Sequence, residues 1–484
     1  MSKLKKDFLY NIMYQILQLI LPLITIPYIS RVLGAEGVGT YSYTYSIVYY
    51  FMLIALLGIN NYGNRSIAQN RENRDKMSKK FLSIYAIQLI MSITMIIVYM
   101  LYILLVCNEY KNIALIQSIF LISSMLDINW FFFGMEEFKL TITRNTILKF
   151  ISLIFVFIFV KNPSDLWIYT LIMAGSTLIS QVVLWPFLLK RISYVKITLK
   201  DIKKHIKPCI ILFIPVIAIS LYRVMDKIML GIMSDVTEVG YYEQAEKIIT
   251  VPTGVVTALG TVMLPKISNL VANEKYDEMK LYIEKSIKFM MFMAFPVSFG
   301  IVAISGDFVP LFLGNEFEKS IMLVDILATT TLFMAFANVL RTQYLLPKEK
   351  DNIYIYSVIG GAIINLIINI ILIPKLQSIG ATIGTIIAEA FVMIYQTISV
   401  KKELPIKEYI ISTFPFFIKA IIMFAIVMSI KLLKLNGIIT IVIQVIVGCI
   451  IYFITNIKYI NSVVDIKEML LNFKKIQIES NNKE

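Results

Sequence analysis

The feature that most restricts this chain is a succession of apolar stretches of about 20 residues, each long enough to cross a hydrocarbon core as a helix. They fall near 10–32, 40–60, 81–106, 113–134, 147–161, 165–189, 208–232, 239–263, 285–305, 317–343, 353–374, 378–400, 411–434 and 436–457, about fourteen in all. Inside lipid every backbone amide needs an internal partner, which a helix supplies. Charged residues are only 16% of the 484, against about a quarter in soluble domains, and the runs are too many and too long for one large soluble core. The expected fold is an all-α polytopic membrane protein with about fourteen transmembrane helices.

The formal charge of +14 does not point to nucleic acid, because of where it sits. Basic residues gather in alternate loops: Arg65, Arg71, Arg74, Lys76, Lys79 and Lys80; then Lys190, Arg191, Lys196, Lys200, Lys203, Lys204 and Lys207; later Lys348, Lys350, Lys401, Lys402 and Lys407. The loops between are poor in lysine and arginine, the pattern that keeps basic loops on the cytoplasmic side. The expected orientation has both termini in the cytoplasm, in the cell membrane. The N-terminal "MSKLKKDFLYN" looks like the start of a signal peptide, but the apolar stretch after it is too long and lacks a small-residue cleavage site, so it reads as a retained first helix.

Cys107, Cys209 and Cys449 are far apart and without CxxC spacing, which argues against a disulfide framework and a metal cluster. The single histidine, His205, falls in the basic 190–207 loop and is expected to be solvated. No GxxxxGK[ST], HExxH or GxSxG motif occurs, so no catalytic residue, metal ligand or cofactor is assigned.

The chain repeats itself. "LGAEGVGTYSYTYSI" from Leu33 and "LGIMSDVTEVGYYEQAEKI" from Leu230 share Leu-Gly, a polar elbow, Val-Gly and following aromatics. Gly58 follows Gly39 at nearly the spacing by which Gly260 follows Gly240, and "FGMEEFKLTITRNTI" pairs with "LLPKEKDNIYIYSVI". Six spans separate the copies, so the repeat is parallel, about an axis along the membrane normal. The expected partition is a six-helix bundle at 1–206, a second at 207–409, two added helices at 410–457 and a cytoplasmic tail at 458–484. Gly34, Gly37 and Gly39 read as a tight turn with φ > 0, and Pro27 as a kink in the first helix.

A charge at mid-bilayer costs at least about 2.5–3.5 kcal/mol, so each one should face protein or water. Arg223, Asp226 and Lys227 in "YRVMDKIML" share a helical face, as do Glu243, Glu246 and Lys247 in "YYEQAEKII". Antiparallel neighbours would bring Asp226 opposite Lys247, or Lys227 opposite Glu243. Two readings stand side by side: an ion-pair network holding the bundle, and a cationic patch lining a cavity. Arg31, Asp127, Glu389, Lys419 and Arg341 are weaker candidates, and Trp130, Phe131 and Phe132 read as an interfacial aromatic belt.

"PYISRVLGAEGVGTYSYTYSIVYYF", "LGINNYGNRSIAQNRENRDKMSKKF", "DINWFFFGMEEFKLTITRN" and "LYRVMDKIMLGIMSDVTEVGYYEQAEKI" together resemble the Wzx-type polysaccharide flippases of the multidrug/oligosaccharidyl-lipid/polysaccharide exporter superfamily. The most specific element is Pro27-Tyr28-x-x-Arg31-x-Leu33-Gly34. The resemblance implies a transporter, not an enzyme. It implies movement of an undecaprenyl-diphosphate-linked oligosaccharide to the outer leaflet by alternating access, through a cationic cavity between two bundles. It makes Arg31, Arg223, Lys227, Lys247 and Lys419 candidate substrate contacts. Asp127, Asp226, Glu243 and Glu389 are candidates for ion pairing or for coupling to H+ or Na+. Tyr28, Tyr41, Tyr241 and Tyr242 are candidate platforms for sugar rings. The implied partners are the lipid-linked oligosaccharide, membrane lipids and polysaccharide assembly proteins. The rival functions are a drug or metabolite exporter of the same superfamily, a membrane oligosaccharide polymerase or ligase, and a scaffold for a glycan assembly complex.

Overall fold

A computed structural model of the chain describes residues 3–433 and 436–461, with side chains from Leu21 onward except at 215, 218, 222, 259, 261 and 262; the expected tail at 458–484 lies, from residue 462, outside the described residues. The first nine helices are α1 (Lys3–Leu56), α2 (Ile59–Ala68), α3 (Arg74–Leu105), α4 (Lys111–Met125), α5 (Asn129–Gly134), α6 (Phe138–Phe159), α7 (Leu166–Val182), α8 (Trp185–Leu189) and α9 (Leu199–Met233). The rest are α10 (Val236–Ala272), α11 (Tyr276–Leu313), α12 (Lys319–Ala328), α13 (Thr330–Leu340), α14 (Asp351–Leu376), α15 (Ser378–Val400), α16 (Ile406–Ser429) and α17 (Gly437–Thr455). No strand occurs among the described residues.

Among the described residues thirteen helical stretches are long and apolar enough to cross a membrane, judged by length and composition. The first, Leu21–Ala68, has 48 residues, about 70 Å of helix at 1.5 Å per residue, which is twice a crossing. Within it α1 passes through Pro22 and Pro27 and breaks at Gly34 (φ 69°, ψ 179°). Two expected crossings therefore lie in one helix, compatible with about fourteen. The elbow is narrower than expected: Gly37 and Gly39 are helical, and the break sits at Gly34 rather than at Pro27. A proline's fixed φ still suits a helix, whereas a positive φ does not.

Two helices show large apolar faces turned outward. α17 buries Thr440, Gln444, Gly448 and Tyr452, one per turn, and exposes Ile438, Val442, Val445, Ile446, Ile450 and Phe453. α3 exposes Ile90, Ile93, Ile97, Leu101 and Leu104 on a single stripe. Contiguous apolar faces of this size would aggregate in water and are at home in lipid.

The chain divides into two compact units, each discontinuous in sequence. The first holds Met1–Lys247, Phe312–Leu323 and Ile355–Ala388. In it α5 packs an aromatic core: Trp130, Phe131 and Phe132 are 1%, 0% and 0% exposed and do not form the expected belt. Trp130 lies flat on α2, where a methyl at Gly63 would come within 2.4 Å of its ring. Its Nε1 donates to Gln88 Oε1 at 3.0 Å, so the indole's polar edge is satisfied internally and needs no interface water. His205 is also not a loop residue. A reciprocal cap between Thr198 and Asp201 starts α9 at Leu199, which winds the basic stretch into helix and buries His205, its Nδ1 2.6 Å from the Tyr62 hydroxyl.

The second unit holds Ile248–Leu311, Val324–Tyr354 and Glu389–Glu484. Its core joins α11 to the last two helices. The Phe292 and Phe416 rings are 5.7 Å apart, and the Tyr452 hydroxyl donates to the Phe292 carbonyl at 2.9 Å.

Candidate functional site

In the first unit α9 runs out to Met233 and the chain returns as α10 from Val236, so side chains of the two helices face one another across a two-residue turn. Lys227 meets Glu243 Oε2 at 2.6 Å and Glu246 Oε2 at 2.9 Å, and Lys247 meets Glu243 Oε1 at 2.9 Å. This is the expected Lys227–Glu243 pairing. Two ammonium and two carboxylate groups balance, while Arg223, one turn earlier on α9, is exposed and has no carboxylate partner among the described residues. The patch carries one uncommitted guanidinium. A guanidinium offers bidentate contacts to phosphate oxygens.

Tyrosines approach this network from α1 and α7. Tyr41, Tyr45 and Tyr49 recur every four residues along α1. The Tyr41 and Tyr45 rings stack at 5.8 Å, Tyr45 and Tyr49 lie 6.3 Å apart, and Tyr169 of α7 meets Tyr41 edge-on at 4.9 Å. The phenols of Tyr41, Tyr45 and Tyr169 lie within electrostatic range of Glu243, Tyr45 also of Lys227, and Tyr49 of Arg223.

Asp226 departs from expectation. It does not pair with Lys247 but is buried, 2% exposed, among other partners. Neighbouring positions on a helix are about 100° apart, so Lys227 and Asp226 serve different partners. Asp226 Oδ2 accepts from the Tyr242 hydroxyl at 2.8 Å and from Thr385 Oγ1 at 2.9 Å, and Oδ1 accepts from Asn369 Nδ2 at 2.6 Å. Asn369 in turn donates to Asn365 Oδ1 at 3.2 Å, while Asn369 Oδ1 is buried without a hydrogen-bond partner. A methyl at Gly384 would lie 2.2 Å from Asn369 Oδ1, so only glycine leaves room for this amide. The result is a buried carboxyl held by neutral donors with one spare amide oxygen beside it, a setting suited to a proton or a small cation. Among the described residues no three His, Cys, Asp or Glu side chains gather as a metal site.

The other expected residues are dispersed. Asp127 Oδ1 accepts from Asn129 N at 2.9 Å at the start of α5 and from Asn129 Nδ2 at 2.7 Å. Arg144, buried on α6, donates to Asn129 Oδ1 at 2.9 Å and Asn145 Oδ1 at 2.7 Å. Arg31 is exposed on α1. Tyr28 is tied into structure, its hydroxyl on the Val160 carbonyl at 2.6 Å. Tyr241 meets Phe317 edge-on at 5.9 Å, and Tyr242 belongs to the Asp226 cluster. Glu389 and Lys419 lie in the second unit; Glu389 is 7% exposed, and the Lys419 ammonium donates to Asn456 Oδ1 at 3.1 Å.

Sequence reasoning missed Arg144, the Asn365–Asn369–Thr385 set and Glu238. Glu238, 6% exposed, meets Lys319 at 2.5 Å and accepts from Ser378 Oγ at 2.5 Å. An acidic residue in the first turn of a helix was the only local signal.

Three comparisons bear on this arrangement. A family model described as "Polysaccharide biosynthesis protein" matches residues 4–271. The chain is 24% identical over 394 residues to a protein of Escherichia coli strain K12 named "Putative O-antigen transporter", covering 80% of this chain and 94% of that one. A protein of the same name from Shigella dysenteriae is 23% identical over 403 residues, covering 82% and 100%. Among solved structures, "Lipid II flippase MurJ, inward closed conformation" matches with a TM-score of 0.79 at 18% identity, covering 94% of this chain and all of that one, and so shares its fold.

Proposed function

The chain belongs to the polysaccharide biosynthesis protein family, and from that premise we propose that it moves a lipid-linked oligosaccharide across the cell membrane. The substrate in this reading is an undecaprenyl-diphosphate-linked glycan, carried from the cytoplasmic to the outer leaflet by alternating access. Both termini lie in the cytoplasm, and the two six-helix repeats at 1–206 and 207–409 supply the moving halves.

The observation that carries the reading is the cationic patch on α9: Lys227 in an ion-pair network and Arg223 beyond it without a carboxylate, with tyrosines alongside. A diphosphate cannot cross hydrocarbon bare. Fixed guanidinium and ammonium groups replace its hydration, and the lipid tail remains in the bilayer throughout. The relatives whose names include O-antigen transport support the substrate class. Arg31, Lys247 and Lys419 are retained as further candidate contacts. Asp226, with Tyr242, Asn369 and Thr385, is the candidate site for coupling to H+ or Na+. Asp127, Glu243 and Glu389 serve ion pairing and structure in this reading.

The direct test is reconstitution. The full chain in liposomes, given a fluorescent diphosphate-linked oligosaccharide lipid, should make an inner-leaflet pool reachable to an external quencher. Liposomes that scramble this lipid no faster than protein-free ones would reject the reading.

A further inference from the structure

The first unit holds a cavity of about 880 Å³ that none of the charges above accounts for. It opens between the second half of α1, the end of α3 with the turn that follows, and the end of α9. Four tyrosines line it, Tyr43, Tyr50, Tyr102 and Tyr110, together with the carboxylates of Glu109 and Asp235. No lysine or arginine is among its lining residues. Its volume falls in the range of about 300–1,000 Å³ that takes a small organic ligand, and a short run of sugar rings is of that size.

The tyrosines are positioned rather than merely present. A methyl at Gly231 would lie 2.1 Å from Tyr43 Cδ2, so glycine there lets the Tyr43 ring lie directly on α9. Tyr110 meets that ring edge-on at 6.3 Å, and the Tyr50 hydroxyl is tied to the Ser220 carbonyl at 3.1 Å. Fixed aromatic faces suit the C–H faces of a pyranose, and carboxylate and amide groups at the rim, Glu109, Asp235 and Asn108, suit its hydroxyls. The two carboxylates and the lack of any basic group repel phosphate and acidic sugars, and favour a protonated amine. This chemistry is the reverse of that at Arg223 and Lys227.

We propose that this cavity is a subsite for sugar rings of the transported glycan, neutral or amine-bearing, separate from the cationic patch. It rests on the reading of the chain as a transporter of a lipid-linked oligosaccharide, and it names which part of that substrate is read here. Tyr43 supplies the stacking face, and Glu109 with Asp235 gives the preference for amine over acid.

The test uses the full chain in lipid nanodiscs and three water-soluble probes without lipid or phosphate: a glucosamine tetramer, a glucose tetramer and a galacturonic acid tetramer. Saturation-transfer NMR at about pH 6, where an ordinary amine is protonated, reads binding. The glucosamine tetramer should bind most tightly, the glucose tetramer next, and the galacturonic acid tetramer not measurably. Tyr43→Ala should weaken the first two about tenfold, while Tyr43→Phe keeps them. Glu109→Gln with Asp235→Asn, both exposed positions, should cost the glucosamine tetramer about threefold more than it costs the glucose tetramer. If Tyr43→Ala does not fold, the carboxylate pair decides. Binding of no probe, equal binding of the acidic probe, or binding indifferent to these substitutions would overturn the proposal. Because the probes carry no lipid, this binding can fail while liposome flipping succeeds, and the reverse, so the two readings fall separately.

Discussion

Gly39 on α1 and Gly240 on α10 cross backbone to backbone, and each does so on the residue four before the other. A methyl at Gly39 would lie 1.6 Å from the Val236 carbonyl oxygen, and one at Gly240 would lie 2.0 Å from the Ala35 carbonyl oxygen. Each glycine follows a valine, Val38 and Val239, and their contact is reciprocal. Nothing larger than hydrogen fits, so the two helices approach as closely as small residues permit.

Gly39→Ala and Gly240→Ala should therefore each destabilise the protein by more than the about 1–3 kcal/mol of ordinary overpacking, since the obstacle is backbone that cannot turn aside. Thermal unfolding of the purified chain in detergent measures this. A Tm unchanged in both variants would mean the crossing is looser than described.

Lys227→Ala removes the ammonium shared by Glu243, at 2.6 Å, and Glu246, at 2.9 Å, and leaves Glu243 its weaker, more exposed contact with Lys247. Breaking such a pair costs about 3 kcal/mol, whereas removing charge from both sides costs much less. A double-mutant cycle of Lys227→Ala with Glu243→Gln should show Glu243→Gln recovering part of the loss. Strictly additive effects would remove the network from the account of stability.

Asp226→Asn keeps the shape of its cluster but removes the ionisable group. Flipping in liposomes with an imposed Na+ or pH gradient should lose its gradient response, while the folded yield changes little. Gly384→Ala, which forces the Asn369 amide away from Asp226, should impair the same response. A full response in both variants would place coupling elsewhere.

Outside the spanning segments, Glu403 accepts from Lys350 and from Tyr344, and the Lys350 hydrogen bond, with that of Tyr344, holds its carboxyl below the usual glutamate range. A depressed folded value means the carboxylate stabilises the fold above the unfolded pKa of about 4.3 and loses that contribution as pH falls through the folded value. The wild-type Tm should drop on acidification through that region more than that of Glu403→Gln. Parallel acid limbs would show that this carboxylate contributes nothing.

The proposed orientation, with the basic loops in the cytoplasm, can be tested by labelling. In a cysteine-free background, single cysteines at 234 and 235, the turn between α9 and α10, should react with an impermeant reagent applied from outside, and those at 190–198 should not. The reverse pattern would invert the orientation.

The helices were legible because each crossing announces itself by length and apolarity, and the Lys227–Glu243 pair because a two-residue turn fixes which faces of α9 and α10 meet. The rest was hidden for identifiable reasons. Asn369 and Thr385 reach Asp226 across 143 and 159 positions, and neutral amides and hydroxyls leave no mark on hydropathy or charge. His205 was misplaced because its basic neighbours look like loop, although the Thr198–Asp201 cap that makes them helix is four residues in plain view. Trp130 was misread because an indole near a helix end looks interfacial, whereas Gly63 and Gln88 give it a place inside.

Arg223 is the cation that the ion-pair network leaves over, so it tests the transport reading most directly. The measurement is the flipping rate of a diphosphate-linked oligosaccharide lipid in liposomes holding equal amounts of wild-type protein and Arg223→Ala. Loss of a bidentate charge-assisted contact should slow the variant by about tenfold or more, with Arg223→Lys in between. A rate for Arg223→Ala equal to that of the wild type would contradict the assignment of this patch to the diphosphate.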